Sequence, residues 1–293
     1  MKPPPFQYHD PKTVAEAVGL LGTLDNAKLL AGGQSLMPML NMRFVLPDHV
    51  IDLNLVEGLS YIREVGGALE IGAMTRQRDL EFSDLVKATC PLMHEAIMHI
   101  GHRQTRNRGT IGGSLCHLDP SAELVSVAAA HDATVSVAGP NGSREIAFKD
   151  FPAGYLTPAI ELNEIVTTIR IPLWPAGHKA AFVEFSRRHG DFAIVSAAAL
   201  LQIEGGKIAR ASVTIGGVAV APVRAAEVEK AITGQAPASE LFAKACESCR
   251  SFEAMADIHA SADYRQHLAA VLSRRALEKA AGLADNAPWN RKY

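Results

Sequence analysis

Cysteine is scarce in this chain of 293 residues: Cys90, Cys116, Cys246 and Cys249 are the only four, too scattered for a disulfide framework. Aromatic residues make up only 6%. No apolar run approaches the roughly 18–20 residues of a membrane span. Neither sign of charge dominates, with 29 Lys and Arg against 31 Asp and Glu, a formal net charge of −2. That balance excludes the basic excess of a nucleic-acid or membrane-surface binder. The opening Met1-Lys2-Pro3-Pro4-Pro5-Phe6 has no apolar signal core, so a cytoplasmic location is expected. Common chemical signatures are missing too. There is no Gly-x-Gly-x-x-Gly and no Gly-x-x-x-x-Gly-Lys-Ser/Thr, hence neither a Rossmann dinucleotide site nor a P-loop. His94-Glu95-Ala96-Ile97-Met98-His99 places its second histidine at i+5, off the face shared by i and i+4, so no metal site follows. Cys246-Glu247-Ser248-Cys249 lacks a second pair and reads as two half-buried helical cysteines.

What is present suits a two-domain protein of ordinary composition, 48% hydrophobic. Residues 13–21 read as an amphipathic helix capped by Thr13. Strands are expected at 28–31 and 49–53, and a hairpin over 59–71 broken by Gly66-Gly67. Helical spacing resumes from Thr75 and again after Pro91, and 123–131 is helical. Strands at 134–137 and 144–148 flank Asn141-Gly142, a hairpin signal, and 165–171 alternates before Pro172. The Pro/Gly-rich run 172–177 marks a domain boundary. Beyond it three strands (181–186, 193–203, 208–215) precede helices at 225–232, 239–254 and 264–281. Strands cluster rather than alternate strictly with helices, which predicts an α+β fold rather than a doubly wound sheet.

Two Gly-Gly stretches stand out among the 23 glycines. The first is Ala31-Gly32-Gly33-Gln34-Ser35-Leu36, just after a strand. The second is Gly109-Thr110-Ile111-Gly112-Gly113-Ser114-Leu115, preceded by the basic stretch from His99 to Arg108. Paired glycines permit φ > 0 and remove the Cβ, so consecutive N–H groups can turn toward one anion. Ser35, Thr110 and Ser114 add hydroxyls, a donor set suited to a diphosphate. A tight turn and nothing more is the plainer reading of any single Gly-Gly. Thr214-Ile215-Gly216-Gly217 repeats the tetrapeptide of 110–113 at the end of an apolar strand with no basic run beside it, and reads as structural.

These stretches also carry a family likeness. Lys28-Leu29-Leu30-Ala31-Gly32-Gly33-Gln34-Ser35-Leu36-Met37-Pro38, followed by Arg43 and Ile51-Asp52-Leu53, resembles the medium, FAD-binding subunit of the molybdenum hydroxylases, the group of carbon monoxide dehydrogenase and xanthine dehydrogenase. Arg106-Asn107-Arg108-Gly109-Thr110-Ile111-Gly112-Gly113-Ser114-Leu115, then His117 to Leu124, is similar to the second flavin motif of that family. Arg187 to Ala193 and Gly216-Gly217-Val218 resemble its carboxy-terminal landmarks.

The resemblance implies a two-lobed FAD domain of the vanillyl-alcohol-oxidase type, with lobes at 1–57 and 58–176. A domain of three-stranded antiparallel sheet plus helices would follow at 177–293. It implies that Lys28, Leu30, Ala31, Gly32, Gly33, Gln34 and Ser35, with Thr110, Ile111, Gly112, Gly113 and Ser114, bind the FAD, the two glycine stretches wrapping its diphosphate. Glu123 falls near the adenosine part, Val166 and Val183 at flavin-lining positions, and Phe192 beside the isoalloxazine, where the carbon monoxide enzyme has Tyr. Ser114 stands where many relatives have Asn, and Gln34 replaces the His of some members. Arg103, Arg106 and Arg108 are further candidates for phosphate. The expected function is an oxidoreductase subunit, with no catalytic acid or base and no metal of its own. Molybdopterin would sit on a large partner subunit and [2Fe-2S] clusters on a small one, in a dimer of heterotrimers, with electrons passing through FAD to an external acceptor. A self-sufficient flavin oxidase of the same fold and a flavin-less scaffold are the alternatives.

Overall fold

The structure, a computed structural model, describes residues 1–283. The first 57 residues alternate strand and helix: β1 (Gln7–His9), α1 (Val14–Thr23), β2 (Ala27–Leu30), α2 (Leu36–Asn41) and β3 (His49–Asp52). Their strands form a parallel sheet in the order β1-β3-β2. Thr13 caps α1 by accepting from the Glu16 N–H at 3.2 Å. Val14, Ala17, Val18 and Leu21 then point one stripe at Leu29 and Ile51 of the sheet. α2 carries Pro38 at its third position, where a missing N–H costs no intrahelical bond. That proline and the two-turn length hide the helix in the sequence.

β4 (Ile62–Val65) and β5 (Ala68–Gly72) form the hairpin expected at Gly66-Gly67, and both glycines have positive φ. Six short helices follow: α3 (Gln77–Phe82), α4 (Asp84–Thr89), α5 (Pro91–Ile97), α6 (Arg103–Arg108), α7 (Ile111–His117) and α8 (Glu123–Ala130). β6 (Thr134–Gly139) and β7 (Gly142–Ala147) pair across the Asn-Gly turn, and a small hairpin, β8 (Pro152–Gly154) with β9 (Thr157–Pro158), leads to β10 (Ile165–Pro172). An antiparallel five-stranded sheet in the order β4-β5-β10-β6-β7 results.

The last part contains β11 (Lys179–Phe185), β12 (Val195–Glu204), β13 (Lys207–Gly216) and β14 (Val223–Arg224), antiparallel in that order, then α9 (Ala226–Ile232), α10 (Ser239–Cys246) and α11 (Ala262–Ala280). This sheet has four strands where three were expected; β14 is two residues long and pairs with Thr214 and Ile215. The helix expected over 239–254 ends at Cys246 and tightens into a 3₁₀ turn, Glu247–Ser251.

The chain separates into two compact units. One comprises Met1–Leu85, His102–Leu118 and Ala133–Pro172; the other Val86–Gly101, Asp119–Asp132 and the chain from Leu173. The units therefore differ from the contiguous division at 176: α5 and α8 lie inside 58–176 yet pack on β11, β12 and β13. β12 explains why. Val195 to Leu201 are buried on both faces, so the sheet needs a second helical layer. Ala197, Ala199 and Leu201 meet Leu272, Ala276 and Leu277 of α11 in one core. On the other face, the Ser212 hydroxyl donates to the Ala130 carbonyl of α8 at 2.7 Å.

Candidate cofactor-binding site

The loop after β2 is arranged around its carbonyl groups. Ala31 O accepts from Asn54 Nδ2 at 3.0 Å, Gly32 O from Gln34 Nε2 at 3.2 Å, and Gly33 O from the Met37 N–H at 3.1 Å. The N–H groups of Gly32, Gly33, Gln34 and Ser35 donate to no protein group among the described residues. Gly33 has φ +73°, the left-handed turn that only glycine adopts without strain. Gly32 is required for a different reason: an added Cβ would collide with the Arg108 carbonyl and lie 2.8 Å from Gly109 Cα.

The second glycine stretch is built otherwise, and corrects the expectation of a matching turn. Gly112 and Gly113 lie in α7 and neither has positive φ. Thr110 is the cap. The N–H groups of this stretch are already used: Ile111 donates to Thr75 O at 3.1 Å, Gly112 to Ala73 O at 2.9 Å, Gly113 to Thr110 Oγ1 at 3.0 Å and Ser114 to Thr110 O at 3.1 Å. A Cβ on Gly112 would sit 2.6 Å from both Ala73 Cβ and Ala73 O, so this glycine seats the helix on the end of β5. On Gly113 it would stand 3.4 Å from Ala31 Cβ, which brings the two stretches together.

Other expected residues separate. Lys28 is exposed on β2 and Leu30 half-buried beside Gly33. Val166 is buried on β10, against which α7 packs. Glu123, Val183 and Phe192 belong to the second unit. Val183 packs against its apolar core, and Phe192, between β11 and β12, is 71% exposed. Glu123 opens α8 with its side chain buried; burial first, then the nearby Glu184 and Asp119, pushes its pKa up to about 8. The look-alike Gly216 faces the Ser126 and Ser196 hydroxyls, where a Cβ would collide.

Of the three arginines, Arg106 is committed to structure. It is 8% exposed and its Nε donates to Glu81 Oε2 at 2.9 Å, while Arg78 Nη1 holds Glu81 Oε1 at 2.9 Å. Burial alone would raise the Glu81 pKa, but these two guanidinium groups outweigh it and hold the carboxyl below its ordinary range. Arg103 and Arg108 are exposed. Sequence reasoning missed Asn54, Ala73, Thr75 and Arg76, which hold the two stretches. No motif marks them; only Asp52-Leu53-Asn54, a turn-forming run at a strand end, offered a local signal.

A parallel sheet with an open loop of backbone donors, beside an antiparallel sheet that seats a glycine-bearing helix, defines a nucleotide-cofactor-binding protein. Residues 4–174 match the FAD binding domain in molybdopterin dehydrogenase, and residues 180–280 the CO dehydrogenase flavoprotein C-terminal domain. The chain is 39% identical to the 6-hydroxypseudooxynicotine dehydrogenase complex subunit alpha of Paenarthrobacter nicotinovorans, over 96% of each chain. It is 38% identical to the carbon monoxide dehydrogenase medium chain of Afipia carboxidovorans, over 98% of this chain and 100% of that one. Among solved structures, carbon monoxide dehydrogenase from Hydrogenophaga pseudoflava superposes with a TM-score of 0.93 at 39% identity, covering 97% of this chain and 99% of that one. The chain belongs to the FAD-binding subunits of the molybdenum hydroxylase family, and is an oxidoreductase component whose cofactor is FAD. The site fits that cofactor: four consecutive N–H groups without an acceptor among the described residues are what a diphosphate requires. Among the described residues no helix is long and apolar enough to cross a membrane.

Proposed function

We propose that this chain is the flavin subunit of a cytoplasmic three-subunit molybdenum hydroxylase, assembled as a dimer of heterotrimers. Substrate is hydroxylated at molybdopterin on a large subunit, and electrons cross [2Fe-2S] clusters of a small subunit to the FAD held here and on to an external acceptor. The observation that carries this reading is the loop at 32–35, whose N–H groups have no acceptor among the described residues. Its donors and the Ser35 hydroxyl hold the diphosphate; α7, with Thr110 and Ser114, supports them. Bound FAD supplies redox chemistry that accepts electrons singly or in pairs, linking one-electron centres to two-electron acceptors.

No side chain of this chain is assigned a proton transfer. Cys90, Cys116, Cys246 and Cys249 are too few and too scattered to ligate two clusters, so iron is assigned to another chain. Lobes of the vanillyl-alcohol-oxidase type at 1–57 and 58–176 are part of the same reading, supported by the parallel and antiparallel sheets that fall within those segments. The relatives' names, a medium chain and a complex subunit, support a multi-subunit assembly. Purified alone, the chain should show a flavin spectrum without iron; the native complex should contain iron and molybdenum. An iron-free, active single-chain flavoprotein would overturn the proposal.

A further inference from the structure

A chain of polar contacts runs beneath the loop at 31–35, wholly within the first unit. The Tyr8 hydroxyl donates to Asp52 Oδ2 at 2.7 Å. Asp52 Oδ1 accepts from the Asn54 N–H at 2.9 Å and also from Asn54 Nδ2. That same Nδ2 donates to the Ala31 carbonyl at 3.0 Å. Asn54 Oδ1 accepts from Arg76 Nη2, and Arg76 Nη1 donates to the Arg108 carbonyl. The Arg108 carbonyl is the group against which Gly32 rests. One amide and one guanidinium thus join the first glycine stretch to the chain entering the second.

The geometry of the peptide unit turns these contacts into an aiming device. A trans peptide is planar, with its C=O and N–H pointing in opposite directions. Fastening Ala31 O to Asn54 therefore directs the Gly32 N–H the other way, into the uncommitted set of donors. Arg76 holds Asn54 from behind through Oδ1 and fixes the Arg108 carbonyl that bounds Gly32. Its planar fork reaches two acceptors at once, which a lysine cannot reproduce. Both acceptors are neutral oxygens, and among the described residues Arg76 forms no ion pair.

We propose that Asn54 and Arg76 are positioning residues for FAD, acting through the Ala31–Gly32 peptide and the Arg108 carbonyl rather than by touching the cofactor. The proposal rests on the reading that the loop binds the FAD diphosphate. It differs from simple charge attraction, in which any cation at position 76 would serve.

The test uses the full chain, stripped of flavin and titrated with FAD, with thermal unfolding of the FAD-free forms alongside. Asn54→Ala and Arg76→Gln should weaken FAD binding roughly tenfold to a hundredfold, the range for loss of one hydrogen bond to a charged or fixed partner. Their FAD-free melting should shift far less than binding does. Arg76→Lys should recover only a minor part of the lost affinity. Full affinity in Arg76→Lys would leave charge as the explanation and overturn the proposal, as would an unchanged affinity in Asn54→Ala. If Asn54→Ala fails to fold, the comparison of Arg76→Gln with Arg76→Lys decides alone. Gly33→Val, which removes the left-handed turn, tests the underlying reading. Normal affinity there would overturn the loop assignment itself. Lost affinity there beside normal affinity in Asn54→Ala would defeat only the positioning claim.

Discussion

Glu123 shows what a single buried carboxyl does to the whole chain. It opens α8 at 7% exposure, and its pKa is raised from 4.5 to about 8 by burial above all, with Glu184 and Asp119 adding repulsion. His99 faces Glu184, with Nδ1 3.3 Å from Oε1. Below pH 4.5 Glu123 is protonated whether the chain is folded or not. Between pH 4.5 and 8 the unfolded chain releases that proton while the folded chain keeps it, so stability falls as pH rises, by up to about 1.4 kcal/mol per pH unit. Above pH 8 both forms are ionised and the loss levels off. Glu81, Glu164 and Asp257 have lowered pKa values, so they act in the opposite sense, withdrawing stability only as pH falls into the acid range. Those three carboxyls add nothing to the slope in the window from pH 5 to 8, where the difference between the wild type and Glu123→Gln reads Glu123. Urea midpoints of the wild type should decline across it, and those of Glu123→Gln should be flatter; parallel curves would rule out this origin.

At the scale of one element, α7 is held by close packing where the sequence pointed to a turn with positive φ. Gly112→Ala would press a methyl to 2.6 Å from Ala73 Cβ and O, so the helix must lift and lengthen the bonds from Ile111 to Thr75 and from Gly112 to Ala73, in the turn after β5. The cost should be about 1–3 kcal/mol of FAD-free stability, read from urea unfolding. Gly113→Ala, which meets the Thr110 hydroxyl at 2.8 Å and otherwise only Ala31 at 3.4 Å, should cost clearly less. Equal losses would refute the seating role. α6 teaches the same lesson about legibility. Its sequence, Arg-Gln-Thr-Arg-Asn-Arg, has no apolar stripe to reveal a helix, because what fastens it is the Arg106–Glu81 pair. Arg106→Ala leaves Glu81 buried with Arg78 alone and should cost about 3 kcal/mol, whereas Arg103→Ala, at an exposed position, should cost little. Apolar periodicity and turn chemistry made α1, β5, β6, β12 and α11 readable. Both glycine stretches were legible as special positions, since glycine is demanded wherever backbones touch. Which glycine serves a turn and which serves a helix contact depends on Ala73 and Arg108, residues distant in sequence from at least one stretch they support.

The whole molecule is not divided where its sequence divides. The Pro/Gly-rich run at 172–177 separates β10 from β11, and the two family matches meet at 174 and 180. Yet α5 and α8, encoded before that break, cover one face of the sheet encoded after it. Phe182, Ala198, Leu200, Ser212 and Thr214 are buried on that face. A fragment of residues 177–293 would bare them, and a fragment of residues 1–176 would carry two helices without their sheet. Burying a side chain the size of Phe or Leu contributes about 1.5–3 kcal/mol, and domains are stable by only about 5–15 kcal/mol, so neither fragment has enough in reserve to lose a layer. Each expressed alone should be insoluble or melt without cooperativity. Co-expressed, the two should reassemble into a soluble complex that binds FAD, because the missing helices and sheet are then both supplied. A cooperative, monomeric 1–176 fragment with wild-type affinity for FAD would show instead that the carboxy-terminal sheet is dispensable for the fold that holds the cofactor.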